Sequence, residues 1–577
     1  MMSGSMITKI QAGRLVDPQS GLDRVADLYF DGDRIIAAAD RAVIDQRALP
    51  DGDANIRTID ATDCVVMAGG IDLHTHIGGG KVSIARMLLA DEIHSHAQAA
   101  NELSAECEYL PAASVTARRY LDMGYTTCFE PAVIPCNARS AHAEMADVQG
   151  IDTGGYCLLG NDDVLLSMIA DGVPQAMIND YVAWMVTATQ CIAVKVVNPG
   201  GINAFKFNVR TLDVDSRHPK YDITPGDVIR TLCRAVHEIG LVHPLHVHCS
   251  NLGVPGNIES TLATIRAADG LPIHLTHAQF HCYGKDGTYG MSSAAVRLVE
   301  AMRQHPNVTI DVGQVMFGQT VTISADAMHQ FENFRHASPR KSALVDVECE
   351  AGCGVVPFKY RRRQFVHSLQ WAIGLELFLL IDDPSRVFLT TDHPNGAPLT
   401  TYPHLLALLG DRSLRETALA EIHADAAASS SLGGLDRQYR IDEIATMTRN
   451  APASILGLTD RGNLNAGSLA DIVIYQNDSN LERMFARPKY VFRRGRMVRH
   501  DGAVVVDSTN SSSAVAAESQ TTLTAKLDCD PKAVQQFTDR YQESATMDLK
   551  RIWISDDEMS DVIGSVPQPA SAGARVR

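Results

Sequence analysis

The chain has 577 residues, with 51 basic against 68 acidic side chains and a net charge of −17. That length supplies a large core and more than one domain, while the acidic balance argues against a nucleic-acid partner. Twelve cysteines occur without a CxxC pair, so neither a disulfide framework nor an iron–sulfur cluster is signalled, and a reducing cytoplasm is expected.

The N-terminus carries no long apolar leader. Residues 1–66 read as short strands, MITKIQAGRLVD, RVADLYFDGDRIIAAA and NIRTIDATDCVVM, separated by glycine and aspartate turns. They hold too little material for a core of their own. Strands of the same style return at SLADIVIYQ and KYVFRRGRMVRHDGAVV, within 441–503, so one composite β domain built from both ends is expected around the centre.

Residues 67–440 alternate short apolar strands with helical stretches. Eight strands are expected: VVMAGGIDL, YTTCFE, GYCLLG, CIAVKVV, VHPLHVHC, LPIHLTHA, NVTIDVG and RVFLTTD. Segments such as SVTARRYLDMG and TPGDVIRTLCRAVHEIG would return the chain between parallel strands. The fold class is therefore α/β, as a (β/α)8 barrel, with a doubly wound open sheet as the alternative. WAIGLELFLLIDD, broken by Glu376, is too short to cross a bilayer and reads as a buried helix, so no membrane association is expected.

A barrel places reactive groups at the C-terminal ends of its strands, and the candidate groups fall there. His74 and His76, one residue apart in VVMAGGIDLHTHIGGG, leave the same face of a strand and could converge on one metal ion. Lys195 lies in the apolar run CIAVKVV. A buried ammonium is a poor metal ligand, but its carbon dioxide-derived carbamate could bridge two divalent ions; Lys206 is the weaker rival. The fifth strand offers His243, His246 and His248, with His248 preferred; the sixth offers His274, His277 and His281, with His277 preferred. Asp392, at the end of VFLTTD, could bind metal and take a proton from water.

His74 and His76 would thus hold one ion with Asp392, and His248 and His277 the other, with carbamylated Lys195 spanning the pair. The donors suit zinc, with manganese, iron and nickel as alternatives. Activated water would attack a carbonyl, Asp392 would accept its proton and return it to a departing nitrogen, and an amide-like C–N bond would be hydrolysed. Asn251, His281, His393 and Asn395, in the loops beyond the strand ends, are candidate substrate contacts.

These motifs resemble the metal-dependent amidohydrolase superfamily. More narrowly, GGIDLHTHIGGGKVSIAR, AVKVVNPGG, PLHVHCSNLGVPGN, HLTHAQFHCYG and LTTDHPNGAP resemble the A subunit shared by formylmethanofuran dehydrogenases and the bacterial formyltransferase/hydrolase complex, over about residues 5–500. The resemblance implies a subunit that interconverts formylmethanofuran with formate and methanofuran at a dinuclear zinc site, within a hetero-oligomer containing a formyltransferase. It maps the family's metal-binding histidines onto His74, His76, His248 and His277, its carboxylated lysine onto Lys195 and its catalytic aspartate onto Asp392. Hydrolysis in one-carbon oxidation is the preferred direction. The alternatives are condensation, another cyclic-amide hydrolase, and a non-catalytic assembly subunit.

Two segments stand outside that scheme. The basic run KYRRRQ, with Arg361, Arg362 and Arg363, reads as a salt-bridged surface or as a contact to the acidic tail of methanofuran. Residues 504–577 read as a linker followed by a small interaction segment, with a strand at TTLTAKLD and a helix near DPKAVQQFTDRYQESATM.

Overall fold

The computed structural model describes residues 7–38, 56–89, 113–148, 150–209, 212–324, 345–347, 353–505, 520–545 and 547–570. Eight parallel strands form the central barrel: β1 (Gly70–Asp72), β2 (Tyr125–Val133), β3 (Asp152–Leu159), β4 (Ala193–Val197), β5 (Leu245–His248), β6 (Ile273–Leu275), β7 (Val308–Gly313) and β8 (Val387–Thr390). They pair in chain order, in register His246 with Lys195 and His246 with His274. β2, β3 and β4 are buried throughout, because helices cover them outside and side chains fill the barrel inside. The helix expected from TPGDVIRTLCRAVHE spans Pro225–Glu238. Thr224 and Asp227 form its capping box, proline opens its first turn, and Val228, Ile229, Leu232 and Val236 face the core.

β1 and β8 do not pair as strands; the barrel closes just above them. The Asp392 amide donates to the His74 carbonyl (2.9 Å), the His76 amide donates to the His393 carbonyl (2.9 Å), and the Thr391 amide donates to the Asp72 carboxylate (3.0 Å). The seam is therefore made by the same residues that carry the candidate ligands.

Both ends of the chain build a second, nine-stranded sheet. Its join is Ile472–Gln476 running antiparallel to Cys64–Ala68, with Ile474 opposite Val66. Leu15, Leu28, Phe30, Val66, Ile472 and Phe492 form its core, each fully buried side chain contributing about 1.5–3 kcal/mol. The run VVMAGGIDL, expected as one strand, divides here: Cys64–Ala68 belongs to the composite sheet and only Gly70–Asp72 to the barrel.

Between β7 and the buried helix Phe365–Leu380 the chain makes an antiparallel excursion, Gly318–Ser324 against Cys353–Tyr360. Val321, Ile323 and Val355 pack on Val82 and Ala85 of helix Gly80–Leu88, roofing one side of the barrel mouth.

The tail strand and helix are present at Thr521–Thr524 and Pro531–Tyr541. They lie on the chain's own barrel. Thr522 pairs with Thr153 at the start of β3, where β4 has not yet begun, and Phe537 is buried edge-on against Tyr181 and Trp184. Asp152, fully buried, receives the Thr521 amide (3.0 Å) and the guanidiniums of Arg461 (2.8 Å), Arg493 and Arg494 (3.3 Å), so barrel, composite sheet and tail meet on one carboxylate. The linker at 506–519 lies outside the described residues.

Candidate metal centre

At the mouth of the barrel His76, Lys195, His248, His277, Asp392 and Asn395 line one pocket of about 550 Å3, counted to its open rim. Val197, Leu252, Phe280 and Ile323 supply its apolar wall. His74 stands immediately behind: its Nε2 is 3.3 Å from Asp392 Oδ1, and His76 Nε2 is 3.6 Å from the same oxygen. His277 (φ 34°) and Asp392 (φ 43°) both leave their strands in the left-handed region, a strained conformation for residues with side chains.

Each histidine is oriented from below. His74 Nδ1 lies 2.5 Å from the Thr276 hydroxyl and 2.8 Å from His246 Nε2, so a proton at Nδ1 leaves Nε2 as a lone pair facing Asp392. His76 Nδ1 lies 3.1 Å from Glu130, whose other oxygen accepts the amides of Ile77 (2.7 Å) and Gly78 (3.1 Å). The His277 amide donates to Asp311 (2.8 Å), which also meets His274 Nε2 at 2.9 Å. Between the paired alternatives the geometry separates two levels. His248 and His277 reach the pocket; His246 and His274 lie in a buried layer beneath it, their rings 4.7 Å apart.

Burial, reinforced by neighbouring cations and imidazoles, holds His74 and His277 well below the ordinary histidine range, so both are neutral donors. Burial raises the Asp392 carboxyl, against the opposing pull of Asn395 and Lys195, and lowers the Lys195 ammonium, against the pull of Asp392. A lysine so lowered offers the free amine that carbon dioxide requires. Lys206, half-exposed, is instead paired with Asp163 at 2.7 Å. Burial pushes Glu130 up, but His76, Lys81 and the Gly78 amide outweigh it and keep the carboxylate ionised.

The donor set fits divalent ions. His74, His76 and Asp392 place one donor atom each within 4.8 Å of one another, as do His248, His277 and His281. His74 Nε2 and His277 Nδ1 are buried without a hydrogen-bond partner, an expensive state that a metal would relieve.

The candidate substrate residues are placed less uniformly. Asn395 lines the pocket, donates to Asp392 Oδ1 (2.9 Å) and accepts the Ile323 amide (2.6 Å), tying the aspartate to the roof. His281 lies behind His248 and His277, Asn251 donates to Ser260 (2.7 Å), and His393 contributes its carbonyl to the seam. Arg361, Arg362 and Arg363 are exposed outside this pocket; Arg362 pairs with Glu421 and covers the Phe317 ring. Glu130 and Asp311 are the functional groups that sequence reasoning missed. The only signal was a charged residue inside each of the apolar strands YTTCFE and NVTIDVG.

A barrel with histidines, a lysine and an aspartate on these strand ends defines an amidohydrolase, and a model of the amidohydrolase family matches residues 57–506. The A subunit of the formyltransferase/hydrolase complex Fhc of Methylorubrum extorquens is 45% identical over 505 residues, 87% of this chain and 89% of that one. Protein FwdA of Methanocaldococcus jannaschii is 36% identical over 516 residues, 86% of this chain and 88% of that one. The crystal structure of the Methylorubrum extorquens FhcABCD complex with methylofuran superposes with a TM-score of 0.86 at 40% identity, covering 98% of this chain and all of the matched one. The chain therefore belongs to the amidohydrolase family and, within it, to the family that FwdA shares with the Fhc hydrolase chain. It is a metal-dependent hydrolase. Among the described residues no helix is long and apolar enough to cross a membrane.

Proposed function

We propose that the chain hydrolyses the N-formyl amide of formylmethanofuran, or of the related methylofuran carrier, to formate and the free amine, as the A subunit of a bacterial formyltransferase/hydrolase complex in the cytoplasm. The observation that carries this reading is the gathering of His74, His76, Lys195, His248, His277 and Asp392 around one pocket mouth, in a chain 45% identical to its Methylorubrum extorquens relative. The lower identity to FwdA, 36%, makes the condensing direction the second choice.

His74, His76 and Asp392 would hold one zinc ion, His248 and His277 the other, with the carbamate of Lys195 between them. A bound pair of zinc ions supplies Lewis acidity and an acidified water. The protein's own groups do the rest. Asp392 takes the proton from the attacking water and delivers it to the departing nitrogen. Asn395 fixes the carboxylate by donating to Oδ1 (2.9 Å), so the lone pair that moves the proton does not wander. Phe280, Leu252 and Ile323 keep bulk water from the reacting carbonyl. A small formyl carbon suits a pocket whose roof is tied down through Asn395.

Assembly with a formyltransferase partner follows from the relative's complex. The test is to load the purified chain and its complex with zinc and bicarbonate, count the metal, and follow formate release from formylmethanofuran. Two zinc ions per chain with formate release support the reading. Full metal loading with hydrolysis only of cyclic amides overturns the substrate assignment.

A further inference from the structure

We propose that His281 is a third imidazole donor to the ion held by His248 and His277, which makes the two halves of the centre chemically unequal. The inference rests on the dinuclear reading above and adds a ligand to it. Ring nitrogens of His248, His277 and His281 all lie within 4.8 Å of one another, and all three residues are buried. The turn Ala278–His281, leaving His277 in the left-handed conformation, folds back so that the His281 ring stacks on His277 with centroids 5.2 Å apart. His248 meets both rings edge-on, at 4.6 Å and 4.9 Å.

The backbone here is pinned. Thr261 donates to the His281 carbonyl (2.7 Å) and Asn257 to the Phe280 carbonyl (2.8 Å), so the ring position is not a loop accident. The Ser250 carbonyl biases one side of the imidazole. Yet neither ring nitrogen makes a hydrogen bond of ordinary geometry, although the residue is 1% exposed. A buried imidazole with both nitrogens unanswered is costly unless something is bound to it. Substrate cannot be that something, because His281 is absent from the pocket wall and stands behind the two histidines that form it. A metal ion between the three rings satisfies the lone pair, while the opposite N–H faces Ser250.

The consequence is an asymmetric centre. One ion would have His74, His76, Asp392 and the carbamate, a set carrying two anionic donors. The other would have three neutral imidazoles and the carbamate, softer and less charge-neutralised. Chelator removal should therefore occur in two resolved steps.

Two measurements test this. In zinc-loaded wild type, zinc-edge anomalous diffraction should put a His281 nitrogen about 2.0–2.1 Å from one ion. Two ions present with His281 more than about 3 Å from both would overturn the third-ligand assignment while leaving the dinuclear reading intact. Absence of a metal pair would instead overturn the dinuclear reading and this inference with it. In chelator competition, His281→Ala should weaken one of the two equivalents by more than about 100-fold, beyond the 10- to 100-fold typical of an outer-sphere partner, and leave the other unchanged. Equal weakening of both equivalents, or of neither, would contradict it. The wild-type diffraction arm does not depend on the variant folding.

Discussion

Glu130→Gln isolates the orientation of His76 with the least steric change. Glu130 is fully buried and accepts from both sides: the Ala132 amide (3.0 Å) and His76 Nδ1 (3.1 Å) meet one oxygen, the Ile77 and Gly78 amides the other. Glutamine has one acceptor where glutamate has two. If its oxygen keeps the two amides of Ile77 and Gly78, its NH2 faces His76 Nδ1 and drives the imidazole to the tautomer with the proton on Nε2. That nitrogen then points a hydrogen at the site instead of a lone pair. Loss of an outer-sphere partner of this kind costs about 10- to 100-fold in metal affinity, or about 1.4–2.7 kcal/mol. The assay is chelator competition on metal-stripped protein, with thermal unfolding of the metal-free form as the control for folding. The expected result is weakened binding of the His74–His76 ion and a matching loss of kcat/KM, with Glu130→Asp partly restoring both. Unchanged affinity in Glu130→Gln would refute the claim that this carboxylate sets the tautomer.

Asp392→Asn should retain the metals and lose hydrolysis by about 10²- to 10⁴-fold; near-normal turnover would remove Asp392 from the proton path. Burial depresses Lys195, which reacts with carbon dioxide only as the neutral amine, and raises Asp392, which binds metal only as the carboxylate. Both required forms grow as pH rises. Reconstitution of stripped protein with zinc and bicarbonate should therefore improve from mildly acidic to mildly alkaline pH, and a pH-independent yield would contradict it. Asp152→Ala should cost about 3–5 kcal/mol in denaturant unfolding, because it strands three guanidiniums in the interior. Burial pushes Asp152 up, but Arg493, Arg461 and Arg494 outweigh it and hold its carboxyl well below the ordinary range. Its contribution is therefore complete above the unfolded pKa and lost as pH falls through the folded one, so acid should destabilise wild type more than the variant.

The strand ends were legible because β-strands alternate every two residues and a barrel points one end of each strand at the site. His74 with His76, Lys195, and Asp392 follow from that periodicity and the polar turns behind them. The choice of His248 over His246 followed only from nearness to the strand end, and both share a face; what separates them in the structure is height, one level in the barrel interior. Glu130 and Asp311 were illegible because a lone acidic residue in an apolar strand does not announce its partner, which lies on a neighbouring strand. The tail reads as a detached segment because its pairing with β3 joins residues more than 350 positions apart. Nothing local in TTLTAKLD records the gap beside β3 that it fills. The roof strands Gly318–Ser324 and Cys353–Tyr360 escaped the count of eight for the same reason, since their partner is each other and not the barrel.

The central claim is that Lys195 becomes an anionic bridge between two ions. Its most direct test is a high-resolution crystal structure of the protein loaded with zinc in the presence of bicarbonate, with anomalous data at the zinc edge. The account predicts two adjacent zinc peaks and density continuous from Lys195 Nζ through a carboxyl group to both. A single zinc peak, or a pair with an unmodified lysine turned away, would contradict it.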